Sequence, residues 1–303
     1  MSFDPDALID RRRLKRGLWT WRIVALLAVC ALIGVIAARG AGKPGAHVAR
    51  VDIDGLIVED AERAEALDAL MEDEEAKAVL VRINSPGGTT TGSEALYQRL
   101  RALAAEKPTV ALIGSIGASG GYITAIAADH IIARETSLTA SIGVVMQTAE
   151  FTRLLDDIGV KTDTLKSGDV KGAPSPMEPL SPASRASLMA AIDDSFAWFS
   201  ELVRKRRPLD ESQWQTVSDG RIVTGRMALK LGLVDGLGGE SEARDWLQSR
   251  HDIAADLPAV DVTWGEESLP WLGGGEALAR KLLKSELLNA GVALDGLMAI
   301  WQP

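Results

Sequence analysis

Short apolar runs alternate with amphipathic stretches along the chain from residue 47 onward. The short runs are rich in Val and Ile, which is typical of strands, whereas the longer stretches repeat apolar residues at helical spacing. The predicted strands cover Val48–Val58, Ala78–Ile83, Thr109–Ile113, Ile131–Ala133, Ile142–Met146 and Val160–Leu165. The predicted helices among them cover Ala61–Glu72, Glu94–Ala105, Gly120–Ala128 and Phe151–Ile158. This alternation predicts an α/β fold with a mostly parallel sheet.

The second half of the chain has a more helical pattern. Ser181 stands before Pro182 and a long amphipathic run, so we expect it to cap a helix that ends at Arg206. Further helices are predicted at Arg226–Leu231, Glu240–Ser249 and, with an amphipathic pattern, Glu276–Leu288. Residues 47–250 are therefore interpreted as one globular domain, and residues 251–303 as a C-terminal extension.

An apolar run without any charge, Ile23–Ala38, lies near the N-terminus. With its flanking residues it reaches about 20 residues, which is long enough to cross a bilayer. We predict a cytoplasmic basic stub at 1–17, a transmembrane anchor at 18–39 and a linker at 40–46. A cleaved signal peptide is the alternative, because Val35-Ile-Ala37 resembles a processing site. In both interpretations the chain after residue 46 is exported. With the anchor retained, we expect a single-pass protein of the inner or plasma membrane.

Composition narrows the possible partners. The net charge is −9 although residues 1–22 carry six basic against three acidic residues, so the body is strongly acidic. An acidic body argues against nucleic acid as a partner, because phosphate binding needs a basic face. The single cysteine, Cys30, excludes an intrachain disulfide and a cysteine-based metal site.

A glycine-rich stretch, Gly114-Ser-Ile-Gly-Ala-Ser-Gly-Gly-Tyr122, joins a predicted strand to a predicted helix. It contains G-x-S-x-G, a pattern that carries the nucleophile in many hydrolases. Ser119 would stand at the positive end of the helix, where an oxyanion is stabilised and where the Gly120 N–H points. The alternative is a plain helix cap, a role that serine fills often.

A second candidate loop, Asn84-Ser-Pro-Gly-Gly88, follows a predicted buried strand. Its two glycines can turn with positive φ and leave backbone N–H groups unobstructed. Such N–H groups can hold a developing oxyanion, an interaction worth roughly 3 kcal/mol per donor. Taken alone, an ordinary strand–helix turn is the simpler interpretation of these residues.

A serine nucleophile needs a base, and the chain has three histidines, His47, His130 and His251. None of them has a spacing that indicates a Ser-His-Asp triad. A lysine can serve once burial or nearby cations lower its pKa enough to make it neutral. Lys166 and Lys171 are the two candidates, against the alternative that both are solvated surface lysines.

A third polar loop, Thr139-Ala-Ser-Ile-Gly-Val144, carries Ser141. Its hydroxyl could form a hydrogen bond to a neutral lysine and orient it, as a third group does in other nucleophilic sites. A turn serine is an equally good interpretation from this loop alone.

Taken in order, these motifs resemble the signal peptide peptidase A family of membrane-anchored serine–lysine proteases, within the Clp-protease/crotonase fold of repeated ββα units. The matching segments are NSPGG at 84–88, ASGGY at 118–122, AADHIIA at 127–133, TASIGV at 139–144, KSGDVK at 166–171 and GRIVTGRMALKLGLVDGLGG at 220–239. The resemblance implies Ser119 as nucleophile, Lys171 as general base and Ser141 as the residue that orients the lysine. It implies oxyanion-hole N–H groups from Gly88 and Gly120, and no cofactor or metal.

The resemblance also implies partners. Short-form relatives complete their sites between subunits, so we expect a homo-oligomeric ring in which serine and lysine meet across an interface. The implied substrates are released signal peptides and other apolar peptides near the lipid bilayer. The tail Glu276–Trp301 could line the substrate groove, lie on the bilayer or pack on a neighbouring subunit. Ala140 and Gly172 differ from the family's usual residues, which bears on the geometry of their loops.

Three other functions stay open from the sequence. A crotonase-like acyl-CoA enzyme would share the fold without needing a serine–lysine pair or an anchor. A Ser-His-Asp hydrolase would depend on His251 and not on Lys171. A catalytically inactive, membrane-tethered scaffold would have no need of Ser119, Lys171 and both glycine loops.

Overall fold

A computed structural model of the chain describes residues 19, 21–34 and 45–264, together with the backbone of 298–300. The chain divides into two compact units, Met1–Gly45 and Ala46–Pro303. In the first unit, residues 21–34 form a helix, α1, whose side chains are exposed. Among the residues described, no helix combines the length and the apolar composition that a membrane span requires. The other residues of the predicted anchor, and the predicted helix Glu276–Leu288, lie outside the described residues.

The second unit alternates strands and helices. Its strands are β1 (His47–Ile57), β2 (Ala76–Thr89), β3 (Thr109–Ala118), β4 (His130–Ala133), β5 (Leu138–Ala140), β6 (Ile222–Thr224), β7 (Gly236–Leu237), β8 (Ala259–Val262) and β9 (Met298–Ile300). Its helices are α2 (Ala61–Glu72), α3 (Thr90–Glu106), α4 (Gly120–Ala125), α5 (Thr152–Asp157), α6 (Pro182–Arg206), α7 (Glu211–Val217), α8 (Gly225–Lys230) and α9 (Glu240–His251).

The described strands form one sheet with the order β6-β5-β3-β2-β1-β8, in which β4 also pairs with β3, β7 with β4 and β9 with β2. Most of the pairs are parallel, and β5–β6 and β2–β9 are antiparallel. The prediction of an α/β fold with a mostly parallel sheet is confirmed. Strand β8, which belongs to the predicted C-terminal extension, pairs with β1.

Both faces of the central strands are buried. On one face Val81 and Ile83 of β2 belong to a core with Leu67 of α2 and Leu100 of α3. On the other face, residues of β1, β2 and α9 form a second cluster that includes Val48, Ala78, Leu80, Ala243 and Leu247. Burial on both sides explains why β2 begins as an almost continuous apolar run.

Two predicted strands are wrong, and both failures have physical causes. Residues 142–144 form no strand, because the chain takes the left-handed region at Ala140 (φ 69°) and Ser141 (φ 53°), which ends β5. Residues 160–165 also form no strand, and Leu165 there is 94% exposed. An apolar pattern predicts a strand only where a neighbouring strand can pair with it, and no described strand does so there.

The predicted turn Asn84–Gly88 is also wrong, since β2 continues through it to Thr89. Strand β1 runs beside this part of β2, with Leu56 opposite Gly87 and Ile57 opposite Gly88. A Cβ atom on Gly88 would lie 1.8 Å from the Ile57 carbonyl oxygen, so only glycine allows the two strands to approach.

Candidate active site

Ser119 has a strained backbone at the junction of β3 and α4. Its φ of 53° and ψ of −114° lie in a region that residues with a side chain rarely adopt. The Ser119 N–H donates to the Ala140 carbonyl at 2.8 Å, and its own carbonyl accepts from Tyr122 and Ile123 at 2.9 Å each. Three backbone hydrogen bonds therefore hold the serine in a conformation that costs free energy, as strained active-site residues are held.

The Ser119 side chain has no structural role in the described residues. It makes no capping hydrogen bond to α4, so the interpretation as a plain helix cap is wrong. The residue is 1% exposed, and its Oγ has no hydrogen-bond partner among the described residues. A buried hydroxyl without a partner is destabilising, and such groups in native structures usually serve a function.

Glycines allow the segment around Ser119 to pack against β2. Gly117 of β3 is opposite Ser85 of β2, and a Cβ on Gly121 would lie 2.6 Å from the Ser85 carbonyl oxygen. The start of α4 therefore lies directly on the part of β2 that leads to Gly88. The structure thus brings the ASGGY and NSPGG motifs together beside Ser119.

Ser141 follows Ala140, the residue whose carbonyl accepts the Ser119 N–H. Ala140 accepts the Ser119 N–H, and the following Ser141 is 8% exposed. The Ser141 N–H donates to the Arg221 carbonyl at 2.9 Å, which fixes the second of two consecutive left-handed residues. Neither Ala140 nor Ser141 is glycine, so this loop stores a second local strain beside Ser119.

Two contacts beneath α4 were missed by sequence reasoning. The Tyr122 hydroxyl donates to the Leu233 carbonyl at 2.9 Å, and burial raises the pKa of this phenol, which stays a neutral donor. The Arg206 guanidinium donates to the carbonyls of Ile126 and Ala128 at 2.8 Å each. Cations favour the carbonyl end of a helix, so Arg206 stabilises the far end of α4, the helix that follows Ser119. The basic end of α6 was the only sequence signal for this contact.

Lys171 lies in a different setting, on a segment that we call the arm, residues 145–180. No residue of the arm is buried, and Lys171 itself is exposed in a turn in which its N–H donates to the Gly168 carbonyl at 3.0 Å. Since Ser119 Oγ has no hydrogen-bond partner among the described residues, the structure does not bring Lys171 into contact with it.

The alternative bases are engaged elsewhere or do not reach the serine. Lys166 forms an ion pair with Glu178, and hydrogen bonds from Lys166 and Thr164 lower the pKa of that carboxyl. His130 stacks on Trp246, with the ring centroids 4.7 Å apart. None of the three histidines is hydrogen-bonded to Ser119 in the described structure, so a Ser-His-Asp triad gains no support.

The profile of Peptidase family S49 matches residues 101–254. A Synechocystis sp. protein named as a protease, slr0021, is 39% identical over 217 residues, which cover 71% of this chain and 78% of that protein. The chain belongs to peptidase family S49. An archaeal member named as a protease, MJ0651 of Methanocaldococcus jannaschii, is 34% identical and covers 75% of each chain. The serine protease SPPA of Arabidopsis thaliana chloroplasts is 31% identical over 77% of this chain and 36% of its own length.

These similarities confirm the resemblance to the signal peptide peptidase A family and make this S49 chain a serine protease. The matched residues include Ser119, Ser141 and Lys171, whereas Gly88 precedes them. A serine protease needs an activated serine, a base and an oxyanion hole. Of these three parts, the described chain builds the surroundings of the serine, whereas Lys171 is exposed and Lys166 is half-buried in its ion pair with Glu178.

Proposed function

We propose that this S49 protease is a membrane-anchored endopeptidase that uses Ser119 and Lys171 to degrade released signal peptides and other apolar peptides near the membrane. The observation that carries the proposal is the strained, buried Ser119, whose Oγ has no partner among the described residues. A structural serine would use its hydroxyl, whereas a nucleophile keeps it available for a base and a substrate.

The reaction is acyl transfer in two steps. Neutral Lys171 takes the proton of Ser119, whose Oγ forms a bond to the carbonyl carbon of the scissile peptide bond. The carbonyl oxygen becomes negative and accepts hydrogen bonds from the N–H groups of Gly88 and Gly120. Lys171 then gives its proton to the leaving amine as the C–N bond breaks, and water hydrolyses the acyl ester to free Ser119.

The exposed arm supports a site that is shared between copies of the chain. Lys171 is exposed, and so are the apolar side chains of Leu154 (58%), Ile158 (65%) and Leu165 (94%). Several large apolar side chains exposed on one segment are typical of a surface that is covered by a partner. A homo-oligomeric ring in which the arm of one copy covers the next would bury these residues and carry Lys171 to a neighbouring Ser119.

The position of Ser141 fits the task of orienting the lysine. It follows Ala140, whose carbonyl holds the Ser119 N–H, so a lysine that reaches Ser119 would also come close to the Ser141 hydroxyl. A hydrogen bond from that hydroxyl would fix the amine toward the nucleophile.

The N-terminal apolar run supports the membrane location. Residues 21–34 are helical, and exposed apolar residues such as Leu26 (68%), Leu27 (62%) and Ile33 (60%) cover this helix. With residues 18–39 inserted and the basic stub in the cytoplasm, the protease unit would be exported, where cleaved signal peptides remain in the membrane.

Peptidase activity of the full chain in detergent, measured on a fluorogenic apolar peptide, tests the proposal. Ser119→Ala and Lys171→Ala should each abolish turnover, whereas the matched control Lys166→Ala should keep it, since Lys166 is paired with Glu178. Activity that survives Lys171→Ala with the fold and the oligomer intact would contradict the lysine assignment.

A further inference from the structure

The strained loop that carries Ser141 is held on its outer side by residues 219–221. Strands β5 and β6 are antiparallel, with Ala140 opposite Ile222. The next pair in this register is Ser141 and Arg221, and the Ser141 N–H donates to the Arg221 carbonyl at 2.9 Å. This hydrogen bond therefore extends the ladder beyond the ends of both strands.

A three-residue turn fixes the position of Arg221. The Asp219 side chain accepts the Arg221 N–H at 3.0 Å across Gly220, whose φ of 83° lies in the left-handed region. The Arg221 guanidinium also donates to both oxygens of the Asp219 carboxylate. Hydrogen bonds from the Arg221 side chain, and then from its backbone N–H, lower the pKa of Asp219 to about 2, so the acceptor is a carboxylate. An aspartate that bonds the N–H two residues further on is a common way to hold such a turn.

A series of hydrogen bonds connects this turn to Ser119. Asp219 holds the Arg221 N–H, and the Arg221 carbonyl accepts from Ser141. The carbonyl of the preceding Ala140 accepts from Ser119 at 2.8 Å. Ala140, Ser141 and Ser119 all have positive φ, and residues with a side chain stay in this region only where surrounding contacts hold them. Loss of the contact at Arg221 would therefore allow the loop to relax.

We propose that Asp219 is a positioning residue of the protease, which holds Ser141 through the Arg221 backbone and so keeps the Ser141 hydroxyl directed at the base. The inference rests on the proposed function, because it gives Ser141 the task of orienting Lys171. Asp219 itself is exposed, so its effect on the reaction passes through Arg221.

Two substitutions at Asp219 separate the turn from the ion pair. Asp219→Asn removes the charge but keeps a side-chain oxygen that accepts the Arg221 N–H, whereas Asp219→Ala removes both. In the full chain in detergent, Asp219→Ala should lower kcat for a fluorogenic apolar peptide about tenfold with little change in KM, as expected for a misplaced catalytic group. Asp219→Asn should stay within about twofold of wild type, since the turn persists. Wild-type kcat in Asp219→Ala, or equal losses in both variants, would overturn the inference.

Arg221→Ala tests the guanidinium alone. It keeps the backbone N–H and carbonyl, and an exposed ion pair contributes little, so kcat should stay within about twofold of wild type. A loss as large as that of Asp219→Ala would assign the effect to the ion pair and overturn the inference.

Asp73→Ala is the matched control for the loss of a turn. Asp73 accepts the Glu75 N–H at 3.0 Å in the same two-residue arrangement, just before β2 begins. Its kcat should equal that of wild type. A tenfold loss there, of the order expected for Asp219→Ala, would show that loosening any such turn lowers activity, and would overturn the specific role of Asp219.

A double-mutant cycle shows whether Asp219 acts through Ser141. Substitutions that remove the same interaction are not additive. The rate at which a fluorophosphonate labels Ser119 should fall in Ser141→Ala, and adding Asp219→Ala should lower it by less than about twofold more. A further loss of about tenfold would mean that Asp219 acts by another route, and would overturn the inference.

Amide exchange separates this inference from the proposed function. In a Ser119→Ala background, which needs no catalysis, the amides at positions 119 and 141 should exchange faster with Asp219→Ala and not with Asp219→Asn. Faster exchange in a chain whose wild type shows no peptidase activity would support the hold of Asp219 on the loop and contradict the proposed function. An active enzyme that needs Ser119 and Lys171, but whose exchange and kinetics are the same in both Asp219 variants, would overturn the inference alone.

Discussion

The surroundings of Ser119 and the arm around Lys171 differ in almost every property that fixes a side chain. Ser119 is 1% exposed and is held by three backbone hydrogen bonds, whereas no residue of the arm is buried. Ser119 is therefore positioned by its own chain. Lys171 is exposed, and no buried residue of the arm surrounds it. This asymmetry supports the proposal that two copies share the site.

The largest expected effect is that of Ser119→Ala, which should change catalysis strongly and stability very little. Ser119→Ala should lower kcat by about 10⁴-fold or more, as loss of a serine nucleophile does. It should leave the free energy of unfolding unchanged or slightly higher, because it removes a buried hydroxyl that lacks a partner. Peptidase assays and urea titration measure the two quantities.

Ser137 is the matched control for this variant, because its buried hydroxyl donates to the Gly114 carbonyl and accepts from the Arg134 N–H. Ser137→Ala should cost about 1–3 kcal/mol of stability and leave the folded enzyme active. A Ser119→Ala variant as destabilised as Ser137→Ala would contradict the functional assignment of Ser119.

The second prediction compares a glycine of β2 beside Ser119 with a glycine of the arm. Gly88→Ala should lower stability by more than about 2 kcal/mol, because its Cβ would lie 1.8 Å from the Ile57 carbonyl oxygen. Gly168→Ala in the arm meets no atom within 4 Å, and its effect should stay within about 0.5 kcal/mol. Thermal unfolding of both variants checks the contrast, and equal losses would show that the arm is as tightly packed as β2.

A third comparison concerns leucines. Leu100→Ala, in the core, should cost about 2–5 kcal/mol of stability. Leu165→Ser should barely change the stability of the fold, yet it should weaken self-association by about tenfold or more if the arm is an interface. Sedimentation velocity over a range of concentrations gives the association constant. Unchanged association for Leu165→Ser, Leu154→Ser and Ile158→Ser would remove the arm from the interface.

The smallest expected effect concerns how the free energy of unfolding depends on pH, through the partly buried His130. Burial lowers the pKa of His130 below its usual 6.5, although Asp235 acts in the opposite direction. The unfolded chain therefore takes up this proton first as the pH falls. Neutral His130 therefore makes its full contribution to the free energy of unfolding above pH 6.5, and this contribution declines as the pH falls below 6.5. Urea titrations should show a flatter pH dependence below pH 6.5 for His130→Asn, and parallel curves would contradict this.

Local sequence patterns were enough to predict the buried strands and the turn that carries Ser119. The buried strands left continuous apolar runs, and the glycines around Ser119 marked the turn that carries it. The left-handed Ala140 and Ser141 carry no such signal, because non-glycine residues adopt this region only when the surrounding fold imposes it.

Long-range features could not be predicted for a related reason. The contact of Arg206 with Ile126 spans 80 residues, and the pairing of β9 with β2 joins distant parts of the chain. The segment 160–165 has the apolar pattern of a strand but lies exposed. An apolar pattern does not distinguish a segment buried against another strand from an exposed apolar segment, so 160–165 resembles a core strand.

Mixing two inactive variants tests the central claim most directly. Full chains carrying Ser119→Ala and Lys171→Ala are dissociated, combined in equal amounts and reassembled in detergent, beside each variant treated alone. A site shared between copies predicts that the mixture regains about a quarter of wild-type peptidase activity, with each variant alone inactive, because random neighbours pair an intact serine with an intact lysine at that frequency. A mixture that reassembles into mixed oligomers, verified by distinct tags, yet stays inactive would contradict the shared site and place the base within one chain.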